Sequence, residues 1–202
     1  MESVLVKSTD DGLVGYFGFG SLVNKHTLRT DYVDIFPATL KGYRRHWQAR
    51  TRATEDHISL LSIHPDEDCN ILGMVVIDRI ENIPLVDERE AGYSRVPIVS
   101  NQLTLENGLE LPDNLYVYIA DEIEGANSQG DLLQSYLDAV MQGFRNEYGD
   151  NGVSHFIETT AGFDRNLVKD RLQPIYPRSV SLSEVEIKLF DAELERAGVL
   201  GL

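Results

Sequence analysis

An α+β fold is predicted from the order in which two patterns occur along the chain. Short apolar and aromatic runs of strand character crowd into residues 13 to 120, whereas apolar residues at helical spacing begin only after Gly125. The two never alternate in the regular way that a doubly wound parallel sheet requires. At 202 residues, with 42% hydrophobic and 25% charged residues, the chain can bury a substantial core. It reads as one domain over 1–202, with a core over about 14–148 and a C-terminal extension of the same domain over 150–202.

The first predicted strand is "LVGYFGFG", bounded by Gly12 and by Ser21 with Asn24. Three more follow in "IFPATLKGYRRHWQARTR", "HISLLSIHP" and "NILGMVVIDRI", separated by the turn-forming "TED" and "PDEDCN". Next comes a short helix in "IENIPLVDEREAG", broken at Gly92 and feeding a strand over Tyr93 to Val99. "NQLTLENGLELPDNLYVYIA" reads as a hairpin with Asn107-Gly108 at its tip and a last apolar strand. Leu132, Leu133, Tyr136, Leu137, Val140, Met141 and Phe144 then recur at helical spacing. Ser128 with Asp131 is the capping signal for that helix and Gly149 its stop. A short helix and a proline-punctuated loop are expected within "FIETTAGFDRNLVKDRLQPIYPRS". The final helix has Ser183 and Glu186 as a capping box and Gly198 as its end.

Charge and cysteine content exclude several functions. With 33 acidic against 18 basic side chains, the net charge of -15 repels a phosphate backbone, so nucleic acid is not an expected partner. Cys69 is the only cysteine, which excludes an internal disulfide or a cysteine-rich zinc site. No close histidine pair or HExxH appears among His26, His46, His57, His64 and His155, and no metal or other cofactor is expected. Without a signal-like N-terminus or a run long enough to cross a bilayer, the protein reads as cytoplasmic and not membrane-bound.

Two stretches carry the chemistry. In "GYFGFGSLVN", Gly18 and Gly20 interrupt a strand, but Val23 stands where a dinucleotide fingerprint needs its third glycine. No Lys follows as in a P-loop, and Ser21 lacks the flanking glycines of a nucleophile elbow. Two readings remain: a cradle whose bare backbone N–H groups receive a carboxylate or carbonyl, or a bulge or tight packing contact within a sheet. In "VDEREAGYSRVPI", Asp87 to Glu90 could be a solvated charge run. Glu90, however, stands where helix gives way to strand, and a carboxylate turned inward there would suit a general base. The basic cluster Lys41, Arg44, Arg45, Arg50 and Arg52 reads as a solvated strand, with one arginine available to an anion. Tyr43 and Trp47 read as sheet-packing residues, and Cys69 as a bystander in a polar turn.

These stretches resemble the γ-glutamylcyclotransferase-like superfamily, and most closely its glutathione-specific, ChaC-like branch. "YFGFGSLV" is similar to the Phe-Gly-Tyr-Gly-Ser-Leu motif. "KGYRRHW" is similar to a Gly-Tyr-x-Arg-x-Phe/Trp strand through Gly42, Tyr43, Arg45 and Trp47, and "DEREAGY" to an Asp-x-Arg-Glu followed by Gly-Tyr. Order and spacing agree from about residue 14 to residue 120.

The resemblance implies a mixed, barrel-like sheet with flanking helices, and a reaction in which the α-amine of a γ-glutamyl group attacks its own γ-carbonyl. That closes 5-oxoproline and expels an amine, with glutathione or another γ-glutamyl amino acid or amine as substrate. It implies that Phe19, Gly20, Ser21 and Leu22 hold the substrate through their backbone, that Glu90 is the catalytic acid/base, and that Tyr93 and Tyr136 line the pocket. A homodimer is possible. The sequence departs from the pattern at Phe19, where relatives have tyrosine, and in "EGANSQGDLLQ" before the Tyr136-Leu137 helix. From about residue 150 no motif matches. A non-catalytic module binding a small amino-acid-like anion, and a relative acting on a larger γ-glutamylamine, therefore remain alternatives.

Overall fold

The computed structural model describes residues 12–28, 30–50, 58–105, 109–121 and 130–199. A seven-stranded mixed sheet forms the body. Six of its strands are β1 (Leu13–Gly18), β2 (Asp34–Arg50), β3 (Ile58–Arg79), β4 (Tyr93–Ile98), β5 (Leu103–Leu105) and β6 (Leu115–Ala120), in the spatial order β4-β6-β1-β3-β2-β5. β1 runs parallel to β6 and antiparallel to β3.

Two of the predicted strands are one. The runs on either side of "PDEDCN" form the continuous β3, which pairs with β2 from Asp34↔Ile77 to Arg50↔Ile58. The register slips between Lys41↔Asn70 and Tyr43↔Pro65, so the expected turn is a bulge of residues 66–69 opposite Gly42, whose φ is 75°. Arg44 pairs across it with Asp66 at 2.6 Å. The bulge turns Cys69 into the core, where it is buried, contrary to the polar-turn reading. The "TED" turn lies outside the described residues.

The expected hairpin does not form either. β5 pairs with β2 at the far edge, while β6 inserts between β1 and β4. Its Asn107-Gly108 tip lies outside the described residues.

Helix α1 (Ile83–Arg89) carries Pro84 in its first turn and ends at Glu90, with Gly92 at φ 93° turning the chain into β4. α2 (Gln134–Glu158) starts later than the capping signal suggests and has no side-chain cap. Ser128 is outside the described residues, and Asp131 bridges Ile58 instead. Leu132–Leu133 form a two-residue strand, β7, and β8 (Thr160–Ala161) follows the helix, pairing with β2 as the seventh strand of the sheet. β7 pairs with β9 (Leu167–Val168) in a separate ladder. Gly149, at φ 69° and ψ -167°, kinks α2 rather than stopping it. The helix expected after Phe156 is absent because α2 already ends at Glu158 and the chain goes on through β8 and β9. α3 (Glu184–Arg196) has the predicted capping box, with Ser183 Oγ accepting from the Glu186 N–H, and Gly198 at φ 80° closes it.

The main core lies between one sheet face and α2 with α3. It includes Phe17, Trp47, Leu61, Leu137, Met141, Phe144, Phe156 and Phe190. A smaller cluster under α1, formed by Val14, Tyr16, Leu22, Val76, Ile83, Val86 and Tyr118, covers the other face. Among the described residues no helix is long and apolar enough to cross a membrane.

Candidate active site

Residues 19–28 leave the end of β1 as two successive 3₁₀ turns, Ser21–Val23 and Lys25–Thr27. Asn24 joins this loop to α2: its amide nitrogen donates to Ala139 O at 2.9 Å, and its Oδ1 accepts from the His26 N–H. α2 can approach because Gly143 has no side chain; a Cβ there would lie 2.6 Å from Asn24 N.

The two glycines of the motif serve different ends. A Cβ on Gly18 would sit 2.5 Å from Leu22 Cβ, so this glycine is needed for the loop to fold back on itself. A Cβ on Gly20 would meet the Tyr136 hydroxyl at 3.0 Å and Leu61 Cδ1 at 3.4 Å. Gly20 thus leaves its backbone open beside a tyrosine hydroxyl. Within the turn, Val23 N–H donates to Gly20 O and Asn24 N–H to Ser21 O. The N–H groups of Gly20, Ser21 and Leu22 have no backbone acceptor among the described residues, which makes them available to an anion. Of the side chains, Phe19 joins the main core and Leu22 the smaller cluster, so both act structurally.

Arg45 fixes the orientation of this backbone and was misread as solvated. It is fully buried on β2; its Nε donates to Phe19 O at 2.7 Å, its other nitrogens to Thr159 Oγ1 and Leu72 O, and its guanidinium lies over the Phe144 and Phe156 rings. Burial lowers its pKa to about 9, so it remains charged at neutral pH. No carboxylate pairs with it among the described residues. Because the C=O and N–H of a trans peptide point oppositely, holding Phe19 O inward turns the Gly20 N–H away from Arg45. An alternating strand that sets an arginine in register with Trp47 was the sequence signal for this burial.

Glu90 follows the last residue of α1, its side chain 16% exposed, with Oε1 held by Arg89 Nε at 2.8 Å. Arg89 also donates to Thr27 O at 2.6 Å and to Thr27 Oγ1, tying the carboxylate to the loop. The wall around Glu90 is thus ionic on one side rather than wholly apolar. Tyr93 donates to Leu61 O at 2.8 Å. Tyr136 is buried and its phenol is pushed well above 10, first by burial, then by the nearby Tyr93, Tyr176 and Glu90. It is therefore a neutral hydroxyl throughout the physiological range. The structure brings Gly20, Glu90 and Tyr93 near Tyr136, while Ser21, half-buried, follows Gly20 in the first 3₁₀ turn.

Tyr176 completes the cluster, and nothing in its proline-flanked surroundings signalled it. Its ring stands edge-on to Tyr136 at 5.0 Å, as Trp47 does at 5.9 Å. Both are buried, and neither the Tyr176 hydroxyl nor Trp47 Nε1 has a hydrogen-bond partner among the described residues. Buried polar atoms of this kind are uncommon in a folded protein and mark places where a ligand or water belongs. Among the described residues no group of three or more His, Cys, Asp or Glu could hold a metal ion.

No protein-family model and no curated protein matches the sequence. Solved structures match the fold. A γ-glutamyl cyclotransferase superposes with a TM-score of 0.57 at 12% identity, covering 89% of this chain and 99% of its own. An uncharacterized protein from Homo sapiens gives 0.58 at 14% identity, covering 90% and 99%. YkqA from Bacillus subtilis gives 0.54 at 17% identity, covering 75% of this chain and 57% of its own. The chain has the fold of the γ-glutamyl cyclotransferases.

Proposed function

We propose that the protein is a γ-glutamyl cyclotransferase that releases 5-oxoproline and an amine from glutathione or another γ-glutamyl compound. The observation that carries this reading is the meeting of a carboxylate, Glu90, with three open backbone N–H groups and two tyrosines at the end of one strand. The α-amine of the γ-glutamyl group attacks its own γ-carbonyl carbon; a C–N bond forms, the C–N bond to the leaving amine breaks, and no water or other reactant is consumed. Because nucleophile and electrophile share one molecule, holding a bent conformer supplies much of the rate. The N–H groups of Gly20 to Leu22 grip the α-carboxylate or the tetrahedral oxyanion, where one well-aimed donor is worth roughly 3 kcal/mol. An α-amine with a pKa near ~8 must lose a proton and the leaving nitrogen must gain one. Glu90 takes the first and delivers the second, and the neutral Tyr136 hydroxyl is suited to orient the reacting group.

The Arg89–Glu90 ion pair supports a second reading, since a carboxylate already neutralised is compatible with a module that only binds a small amino-acid-like anion. One assay separates the two. Purified protein is incubated with glutathione and a panel of γ-glutamyl amino acids and amines, and 5-oxoproline is followed by mass spectrometry. Turnover by the wild type that falls about a thousandfold in Glu90→Gln supports the enzyme. Binding without product in either protein supports the module.

A further inference from the structure

The long ladder between β2 and β3 carries a pair of histidines that the proposed reaction does not use. Tyr43 to Arg50 pair in unbroken register with Pro65 to Ile58, which sets His46 opposite Ser62 and His64 opposite Arg44, so the two histidines are diagonal neighbours across the ladder. Arg45 and Trp47 on one strand, and Leu61 and Ile63 on the other, are buried on the inner face, and alternation turns His46 and His64 to the other face. His64 is exposed and His46 half-buried. Their Nδ1 atoms lie 3.0 Å apart, with ring centroids at 4.9 Å and planes inclined by 55°. They are 18 residues apart in the chain, so no spacing motif announces them.

A separation of 3.0 Å leaves room for one proton between the two nitrogens, so at least one ring turns a bare lone pair toward the other. It is also the separation that two ligands of one ion adopt. Imidazole nitrogens held about 2.0–2.1 Å from a metal, at square-planar to tetrahedral angles, lie about 2.8–3.4 Å from each other. An ion can therefore replace the proton by a turn of the rings, with the strands left in place.

The surroundings suit a cation. The chain carries a net charge of -15, which draws dications to its surface. Of the cations near the pair, Arg44 is neutralised by Asp66 at 2.6 Å, and Arg165 is turned to Trp47 O and Ser59 Oγ. The Gln48 side chain bonds to His46 and is itself held to Asp121 O at 2.8 Å, which steadies the ring. Among the described residues no third His, Cys, Asp or Glu joins the pair, so the remaining positions of the ion are left to water.

We propose that His46 and His64 form a two-point site for a divalent transition-metal ion of the imidazole-binding kind, with zinc as its representative. Any proton between the two Nδ1 atoms goes to an Nε2 or to solvent as the ion enters. The ion clips β2 to β3 from the face opposite Trp47, whose ring packs on Tyr136. The site therefore stands independently of the cyclotransferase reading.

The test titrates zinc chloride into the full chain, freed of any affinity tag, by calorimetry at neutral pH. The wild type is expected to bind one zinc per chain with micromolar affinity. His46→Gln and His64→Gln should each weaken it at least about tenfold, because the second ligand of a chelate acts at high effective concentration. Magnesium, which prefers oxygen ligands, should bind far more weakly. Zinc should also raise the melting temperature of the wild type and of neither variant, and the melting curves without zinc show whether the variants fold. A smaller loss of affinity in either variant, or magnesium binding as tight as zinc, overturns the proposal. Histidine ring NMR of the wild type needs no variant: zinc should shift two of the five histidines together, and a shift of none, or of one alone, overturns it as well.

Discussion

The two walls of the candidate site are held by different forces. The loop wall, residues 19–24, hangs from a buried cation that bonds to carbonyl and hydroxyl oxygens, with Arg45 gripping Phe19 O, Leu72 O and Thr159 Oγ1. The C-terminal wall, residues 170–178, is held by carboxylates. Asp170 accepts from the N–H groups of Ser135 and Ile175 and from Ser135 Oγ, and Arg171 lies between Asp138 and Asp191. The first arrangement orients peptide groups, since two of its three partners are backbone carbonyls. The second ties one segment to α2 and α3 through Asp170 and Arg171.

Releasing the clip should have the largest effect on stability. Arg171→Met leaves Asp138, buried on α2, without its cation, which costs about 3–5 kcal/mol when one partner of a buried pair is removed. Urea denaturation measures it, and Asp138→Leu in the same protein should recover most of the loss. A loss below about 1 kcal/mol would mean that apolar packing rather than charge holds the C-terminal wall. Next come the glycines. Gly18→Ala forces its Cβ against Leu22 and should cost about 1–3 kcal/mol. Gly20→Ala meets only the end of Tyr136 and of Leu61, so it should lower turnover far more than melting temperature. Equal effects of the two would erase the distinction between a folding glycine and a site glycine.

A third, smaller effect lies in the pH dependence of stability. Tyr148, on α2, reaches across to Ala38 and Gly73, and burial raises its pKa to about 12; Tyr16, Tyr118 and Tyr136 are raised as well. The folded state keeps these protons after the unfolded chain, with phenols near 10, has released them. For Tyr148 the stabilisation is complete below pH 10 and is lost as pH rises through 12, at no more than about 1.4 kcal/mol per pH unit. Denaturation midpoints at pH 8 and pH 11 should converge partly in Tyr148→Phe. An unchanged difference would remove Tyr148 from the account.

What could be read beforehand follows the same division. The helical stripe Tyr136 to Phe144 was legible because those residues repeat on one buried face of α2, and all of Tyr136, Leu137, Val140, Met141 and Phe144 are in the core; Leu132 and Leu133, read as its start, are buried too but belong to β7. The positions of Gly20 after a strand end and of Glu90 after a helix end were legible because both are local patterns. Pairing was not: nothing in "LTLENG" says that Leu103–Leu105 will cross to β2 instead of turning back on β6, because that choice is made by the whole sheet. Nor could spacing show that "PDEDCN" would be a bulge, since turn and bulge use the same residues. Arg45 was misjudged because charge dominated the reading of a strand whose register buries it. Tyr176 lies in a segment with no regular period, placed by Asp170 and Ser135 through bonds that leave no repeat in sequence.

The smallest change tests the C-terminal wall most directly. Tyr176→Phe deletes a hydroxyl that is buried and has no hydrogen-bond partner among the described residues, so it removes no hydrogen bond seen there and sheds an unsatisfied polar atom. The ring, and with it the edge-on contact with Tyr136, stays. Stability should therefore hold or rise within about 0.5 kcal/mol. KM for glutathione should nevertheless increase, by about three- to tenfold, if that hydroxyl donates to bound substrate. Because the variant removes nothing the fold uses, a rise in KM cannot be attributed to damage. An unchanged KM would assign the orphan hydroxyl to water.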